Sequence, residues 1–458
     1  MNIKFLSIFF ISITITQAAT SSQQAPLFKE RLTSAIDKVI HNSAALKSTM
    51  ASASAFLHQS EAAYALLWPS LALAGNYSYQ SEVPATIGPM GVAILGEHEN
   101  YAVGPVLSYT LFDGGKDRKN AEGLALLSDA KENGSEIFQK QLELTIKQTY
   151  FKTQYSLREL TLTAKSLKLA QDQGRDIQLR FKAGAASRLE QTLANREIIG
   201  YKMKFMQAQT NLAANLRELI SLTGEDLTFD TSHPVPTELA TDLPDDIDPP
   251  SLRVDLDDLS TTLRENRFVS NIPASEAVKN HPEMIALQNQ ENSAYTLASS
   301  ERANFFPKIQ LQAKSQYIFP KIGLEEESIQ NSVSASLSFS LWDWGIISNR
   351  VSQKTNDALA LQYQKEQKQS DLAKEYNKAS DALANLLAQQ KLGAQNVREA
   401  REVEQLTYQS YKVGKVRYLD VQDANLKLLQ TEVSMAQIES AILMQTAILD
   451  YLATTTSK

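Results

Sequence analysis

The chain contains no cysteine among its 458 residues, which excludes disulfides, thiol nucleophiles, cysteine-ligated zinc and N-terminal lipoprotein acylation. No run of about 18 consecutive apolar residues is present, so a membrane-spanning helix is excluded. The sequence also lacks a phosphate-binding glycine loop, a G-x-S-x-G elbow and a basic patch. We therefore expect a protein that is not an enzyme, needs no cofactor and does not bind nucleic acid.

Histidine is sparse, with five residues scattered along the chain. The nearest approach to a metal motif is Glu97-His98-Glu99, which lacks further ligands nearby and which we interpret as a solvated loop. We therefore predict no metal site.

Acidic charge is concentrated in one segment. The net charge is -7, but residues 225–272 hold twelve acidic and three basic residues, together with five prolines and no glycine. This composition predicts a stiff, partly irregular connector between two parts of the chain, and it indicates little about partners.

The N-terminus of the chain has the features of an export signal. Lys4 precedes an apolar run from Phe5 to Ile15, and the small residues Ala18 and Ala19 follow. The run is too short to span a bilayer, so we predict a secretory signal at residues 1–19, cleaved after Ala18 or Ala19. The alternative is a buried first helix.

Proline is absent from two long windows, Val106–His233 and Lys321–Lys458, which are rich in strong helix formers. Gly184 and Gly414 interrupt the helical segments where a residue at positive φ would let the chain turn back. Each window therefore predicts a helical hairpin with arms of about 60 and about 37 residues, the longer approaching 90 Å.

The two halves of the chain are related by duplication. Residues 111–115, LFDGG, match residues 341–345, LWDWG, at a numbering offset of 230, and the hairpin tips match at the same offset. Trp68-Pro69 matches Phe306-Pro307 at an offset of 238, so the first half has a longer, surface-exposed loop before its LFDGG motif.

Four segments alternate between apolar and polar residues with a period of two. They predict strands at about residues 70–81, 102–112, 308–319 and 332–342, each near the length of a tilted transmembrane strand. Such strands could instead cover a soluble core, but the long helices offer no compact layer for them. Because four strands cannot close a membrane barrel, we expect two or more chains to assemble. The competing class is an exported coiled-coil adhesin or scaffold without a pore.

This order of elements and these motifs resemble the TolC-type outer membrane efflux proteins over nearly the whole mature chain. The resemblance implies two repeats, residues 20–224 and 273–458, and a mainly α fold with a membrane β-barrel. It implies a homotrimer whose 12-stranded barrel lies in outer membrane lipid and continues into a periplasmic α-helical barrel. In that family the tunnel passes drugs, small molecules or secreted proteins outward, with a periplasmic adaptor and an inner-membrane pump of the RND or ABC type.

The resemblance also implies site residues. Tyr411 and Glu190 match the pair that closes the periplasmic end in the family, with Glu190 in place of the family's aspartate. Asp420 and Asp423 match the two aspartates of the family's acidic constriction. The hairpin tips at Gly184 and Gly414 are expected to dock the adaptor. The alternatives are a packed tip tyrosine and solvated charges at a helix N-terminus.

One position departs from the family pattern. A gating arginine is expected two residues beyond the second tip glycine, where this chain has Val416. Arg417 or Arg188 could supply a substitute bridge.

Overall fold

The computed structural model describes residues 25–453 apart from 84, 89–90, 95–96, 226–227, 241–242, 244–246, 266–272 and 321–325. The predicted signal lies outside the described residues. The helices are α1 Leu32–Asn42, α2 Ala44–Ala65, α3 Lys116–Lys182, α4 Arg188–Thr223, α5 Leu259–Glu265, α6 Ala274–Ala277, α7 Pro282–Arg302, α8 Ile346–Lys412 and α9 Tyr418–Leu452. The strands are β1 Leu27–Lys29, β2 Ser70–Tyr79, β3 Ala85–Gly88, β4 Gly91–Ile94, β5 Glu99–Phe112, β6 Pro234–Pro236, β7 Leu252–Asp255, β8 Lys308–Phe319 and β9 Ser328–Ser338. None of the described helices is both long enough and apolar enough to cross a bilayer.

The duplication predicted from the sequence is present in the fold. Helix α2, strands β2 and β5 and the hairpin α3–α4 form the first repeat, and α7, β8, β9 and the hairpin α8–α9 form the second. Helices α3 and α8 each have 67 residues, so each is about 100 Å long. The returning arms α4 and α9 have 36 and 35 residues.

The aspartate of each duplicated motif starts a long helix. The carboxylate of Asp113 accepts hydrogen bonds from the backbone N–H groups of Gly115, at 2.8 Å, and Asp117, at 2.7 Å. Asp343 accepts from Gly345 at 3.0 Å and Ile347 at 2.8 Å. Because the first N–H groups of a helix have no intrahelical partner, these aspartates cap the junction between strand and helix.

Both tip glycines adopt the left-handed conformation that the sequence predicted. Gly184 has φ 76° and Gly414 has φ 79°, and each ends a 67-residue helix. The returning helix α4 begins with a capping box, in which the Ser187 hydroxyl accepts from the Glu190 N–H at 3.2 Å and the Glu190 carboxylate accepts from the Ser187 N–H at 2.6 Å.

Four long strands form one antiparallel sheet in the order β2-β5-β8-β9. Strand β8 has the expected bounds, whereas β2 ends two residues earlier and β5 begins three residues earlier than the alternation indicated. Strand β9 covers 328–338 rather than 332–342. Its register explains the shift, because Ser338 pairs with Lys308, the first residue of β8, and no described strand of the chain extends the pairing further.

The longer loop of the first repeat contains a small antiparallel sheet formed by β3 and β4. It lies between β2 and β5, whereas the corresponding loop of the second repeat, between β8 and β9, is only eight residues long. The stretch from Pro69 to Leu111 is eight residues longer than the stretch from Pro307 to Leu341, and β3 and β4 lie within the longer one.

The connector is more ordered than its composition indicated. Its strands β6 and β7 form a parallel three-stranded sheet with β1, in the order β1-β7-β6. The fully buried Tyr150 of α3 joins this sheet to the helices, because its hydroxyl donates to Asp257 Oδ2 at 2.8 Å and accepts from the Asp257 N–H at 3.1 Å. The largest core surrounds this junction, where α3 packs on α4 and α9.

Candidate functional site

The four-stranded sheet has one continuous apolar face. Directly opposed residues of antiparallel strands lie on the same face of a sheet. One such row runs Leu71, Leu107, Ala313 and Val333 across all four strands, and another joins Tyr77, Tyr101 and Phe319. The opposite face carries Gln310, Gln312, Gln316, Ser334 and Ser336. The sheet thus separates an apolar surface from a polar one, as a barrel wall does.

Within one chain the sheet is open at both edges. Among the described strands, β2 and β9 each pair on one side only. Their apolar side chains are strongly exposed: Leu73 is 77% exposed and Val333 is 82% exposed. Unpaired backbone groups are not tolerated in lipid, so this sheet must be completed by other copies before it can lie in a membrane.

At the far end of the helices, the structure brings Tyr411 and Glu190 together. The Tyr411 hydroxyl donates a hydrogen bond of 3.3 Å to Glu190 Oε1, linking the tip of α8 to the start of α4. The other carboxylate oxygen of Glu190 caps α4 at Ser187. The two residues that the resemblance matches to the family's closing pair are therefore in contact within one chain.

Two further tyrosines link the same hairpins. Tyr408 donates to Asp176 Oδ2 at 3.2 Å, and Tyr418 donates to Glu197 Oε2 at 2.6 Å. Each bond joins a tyrosine of the second repeat to an acid of the first. These pairs were not predicted from the sequence. Comparison of the repeats offers a signal for them, because at the offset of 230 the tyrosines 408, 411 and 418 correspond to Gln178, Phe181 and Arg188.

Above these pairs, a buried polar band crosses between the hairpins. The amide of Asn425 donates to Gln173 Oε1 at 2.8 Å and to Glu197 Oε1 at 3.0 Å, and Gln173 donates to Glu404 at 3.4 Å. Burial raises the pKa of Glu404. A band of this kind holds the two hairpins in one register because a sliding movement would leave buried polar groups without partners.

The electrostatics of the Tyr411–Glu190 pair favour a charged acceptor and a neutral donor. The N–H and hydroxyl of Ser187, together with Tyr411 and Arg180, hold the pKa of Glu190 below its usual range. Burial and the negative charge of Glu190 raise the pKa of Tyr411 to about 12. Tyr411 therefore keeps its proton and Glu190 its charge at neutral pH, which strengthens the hydrogen bond.

An arginine of the first hairpin takes part in this contact. Arg180 lies with its guanidinium 5.8 Å from the centre of the Tyr411 ring, donates to the Lys412 carbonyl at 3.3 Å and pairs with Asp176 at 3.2 Å. The ion pair of Arg180 with Asp176 lies within α3. Within the described chain, neither Arg417 nor Arg188 forms an ion pair with the opposite hairpin: Arg417 pairs with Asp420 of its own hairpin, and Arg188 is exposed. Arg180 is thus the arginine that contacts the second hairpin at this end.

Asp420 and Asp423 lie on the first turns of α9. Asp420 accepts from the Arg417 N–H at 3.0 Å and so caps the helix, while Asp423 pairs with Lys427 at 2.8 Å. Their side chains are 41% and 61% exposed. The spacing of three residues places both carboxylates on one helix face.

The Glu97-His98-Glu99 segment lies at the end of the sheet away from the long helices. His98 Nδ1 is 2.9 Å from the Gln80 carbonyl, and its ring stacks on Tyr79. In the described part of the chain, no group of three or more potential ligands could hold a metal ion.

An open sheet with an apolar face, continued by two helical hairpins whose long arms are each about 100 Å, is the arrangement expected of one subunit of an outer-membrane channel. The model of the outer membrane efflux protein family matches residues 35–225 and 274–453, and the chain belongs to this family. It is thus a protein of the outer membrane that extends into the periplasm, and it serves efflux as a channel. The family consists of transport channels rather than enzymes.

Comparison with individual proteins agrees with this assignment. The probable efflux pump outer membrane protein TtgC of Pseudomonas putida is 23% identical over 381 residues, covering 82% of this chain and 72% of that protein. The structure of CusC superposes with a TM-score of 0.76 at 16% identity, covering 94% of both chains. The Campylobacter jejuni CmeC outer membrane channel gives a TM-score of 0.73 at 16% identity, covering 92% of this chain and 85% of that one. These structures confirm the fold class.

Proposed function

We propose that three copies of this chain close a twelve-stranded barrel, which opens into a tunnel of the long helices. The observation that carries the proposal is the sheet itself, whose apolar face is in register across four strands and whose edges β2 and β9 are unpaired within the described chain. Four strands are half the number found in the smallest membrane barrels, so further copies of the chain are needed to close a barrel. The trimer is the assembly of the family that the chain resembles.

The duplication gives the register of the joint between copies. Strand β5 corresponds to β9 at the offset of 230, and β8 corresponds to β2 at the offset of 238. The β5–β8 pair Val106–Lys314 therefore maps onto Ser336 of one copy and Asn76 of the next. Both residues lie on the polar face, so substitutions there leave the lipid-facing surface unchanged.

Cysteine cross-linking tests this joint directly, because the natural chain has no cysteine. Directly opposed residues of antiparallel strands have Cα atoms about 4.5–5.5 Å apart, within the range of a disulfide. We expect the double variant Asn76→Cys and Ser336→Cys to form covalent trimers under oxidation. The matched control is Asn76→Cys with Ser332→Cys, two pairs further along the same face, and it should not cross-link. Equal cross-linking in both variants, or only monomers in both, would contradict the proposed joint.

The role follows from the assembly and from the relatives. Two similar proteins of Pseudomonas putida are named as the outer membrane proteins of a toluene efflux pump and an antibiotic efflux pump. We propose that this chain likewise exports small apolar toxic molecules, with a periplasmic adaptor docked near Gly184 and Gly414 and an inner-membrane pump of the RND or ABC type. Such a conduit needs no catalytic residue, cofactor or nucleic acid. Export of secreted proteins is the second candidate.

Deletion of the gene separates the two candidates. If the chain exports small molecules, the deletion strain should stop growing at lower concentrations of antibiotics and toluene than the wild-type strain. Expression of the wild-type chain should restore growth, and export of secreted proteins should be unchanged. The reverse pattern would favour the second candidate. Unchanged tolerance and unchanged secretion would contradict both.

A further inference from the structure

The four long strands β2, β5, β8 and β9 contain three charged residues, which are Glu99, Lys308 and Lys314. Glu99 is the first residue of β5 and Lys308 is the first residue of β8, so these two lie at opposite ends of the antiparallel sheet. Lys314 lies halfway along β8 and is half-buried. It is the one charged residue among the middle positions of these four described strands.

The register of the sheet places Lys314 on the polar face. It lies opposite Val106 of β5 and Ser332 of β9, and it follows Gln312 and precedes Gln316 with the period of two that keeps residues on one face. A lysine on the lipid face of a membrane barrel is destabilising, whereas a lysine on the lumen face changes selectivity. Lys314 therefore belongs to the lining of the lumen.

The positive charge of Lys314 is not neutralised within the sheet. The polar face of the four described strands carries serine, glutamine, asparagine and small residues, but no carboxylate. The other lysine of this face, Lys308, differs, because it interacts electrostatically with Asp117 at the start of α3. The middle of the polar face is thus positively charged, while its helix end carries a lysine whose charge is partly offset.

The proposed trimer would bring three copies of Lys314 to one height around the barrel axis. The corresponding residue of the first repeat is Asn76, so the ring has three lysines rather than six. Twelve strands about 4.8 Å apart and tilted by about 40° enclose a barrel roughly 24 Å across. The flexible lysine stems bring the ammonium groups within about 8 Å of the axis, which is one Debye length at physiological salt. The field of the ring therefore extends across the lumen.

We propose that the three Lys314 side chains form a cationic ring in the barrel lumen that binds small solutes carrying several negative charges. The inference rests on the proposed barrel and names a class of solute that the outer section of the channel holds. Rings of lysine or arginine favour anions in pores. Low-dielectric walls concentrate the field of such a ring and raise the local concentration of anions. The ammonium group of lysine binds phosphate as a compact point charge.

Block of the conductance in planar bilayers tests the lysine ring. Helices of about 100 Å remain on the side to which the protein is added, so the barrel mouth and the helix mouth can be addressed separately. The probe is inositol hexakisphosphate. We expect it to block the wild-type trimer at a several-fold lower concentration from the barrel side than from the helix side, and to block less as salt is added.

The variant Lys314→Gln should raise the half-blocking concentration on the barrel side at least tenfold. It should fold normally, because glutamine already occupies the neighbouring positions of the same face at residues 312 and 316. The charge reversal Lys314→Glu should lose the block by inositol hexakisphosphate and gain block by spermine from the barrel side. The matched control is Lys308→Gln, on the same strand and face, which should be blocked as the wild type is.

A wild-type trimer that conducts but is not blocked from the barrel side would overturn the proposal. Block that persists unchanged in Lys314→Gln would overturn it as well, and so would an equal loss of block in Lys308→Gln, since the effect would then reflect the total charge of the lumen. Failure of the wild-type chain to form conducting trimers would contradict the proposed barrel instead.

Discussion

The hydroxyl of Tyr411 and the carboxylate of Glu190 are 3.3 Å apart, although 221 residues separate them in the chain. This bond fastens the tip of the second helical hairpin to the first. The same carboxylate caps α4, so the capping box holds the acceptor in place for the tyrosine. We propose that this pair keeps the periplasmic end of the tunnel closed.

Replacing Tyr411 by phenylalanine should loosen that closure. The change removes a hydrogen bond to a charged acceptor, which contributes on the order of 1 kcal/mol in each copy. The ring, which is 7% exposed, stays in place, so the variant should fold normally. We expect a several-fold higher resting conductance in planar bilayers. The control is Tyr363→Phe, an exposed tyrosine of the same helix far from the tip, which should behave as wild type. Equal conductance of the two variants would argue against the gate.

The closure should also weaken in acid. Because the pKa of Glu190 is lower in the folded tip than in an unfolded chain, its charged form stabilises the tip above the ordinary glutamate pKa. That stabilisation is lost as the pH falls through the lowered pKa, below about 4.5. Resting conductance should therefore rise in this range. Glu190→Gln should conduct more at neutral pH and respond less to acid; an acid response as large as that of the wild type would assign the effect to other carboxylates.

The sequence predicted the long elements because their signals are local. Proline-free windows indicated both hairpins, tip glycines indicated their turns, and the alternation in residues 308–319 predicted β8 with its observed bounds. The shift of β9 could not be predicted in this way, since its end is set by pairing with Lys308 rather than by its own alternation.

Contacts between distant segments had no such signal. Strand β1 pairs Leu27 with Arg253, across more than two hundred residues, and three residues of strand carry too little periodicity to be recognised. At the tips, Tyr411 and Glu190 were found through resemblance to a family. Arg180 was missed because the sequence directed attention to Val416 and its neighbours, whereas the arginine that contacts Tyr411 lies on the opposite hairpin.

Ion selectivity tests the acidic ring. We propose that Asp420 and Asp423 gather around the tunnel axis in the trimer, where up to six carboxylates would favour cations. Asparagine at both positions removes the charge while keeping an oxygen that can cap α9. We expect the reversal potential in a potassium chloride gradient to move toward zero.

The matched control for the ring is Asp371→Asn. Asp371 is also paired with a lysine of its own helix, Lys374 at 2.6 Å, but it lies on α8 away from the tips. A similar shift of the reversal potential in this control, or an unchanged reversal potential in the double variant, would contradict the assignment of Asp420 and Asp423 to an acidic ring.

Gly104 tests how tightly the two repeats are joined in the barrel wall. A Cβ atom there would lie 2.1 Å from the Ser315 carbonyl oxygen and 2.7 Å from Gln316 Cα, both backbone atoms of β8. Neither can move without breaking the β5–β8 ladder, so Gly104→Ala should cost about 3 kcal/mol. We expect a large loss of heat-modifiable trimer on gels at matched expression.

Gly75 provides the comparison for Gly104 within the same sheet. Its nearest neighbour to an added Cβ is Val103 Cγ2 at 3.7 Å, an ordinary contact, and the corresponding residue of the second repeat is already Ala313. Gly75→Ala should therefore leave trimer yield unchanged. If Gly104→Ala assembled equally well, the close approach of β5 and β8 would not be required for the barrel. If both variants failed, the loss would reflect the general cost of alanine in these strands rather than the contact at Ser315.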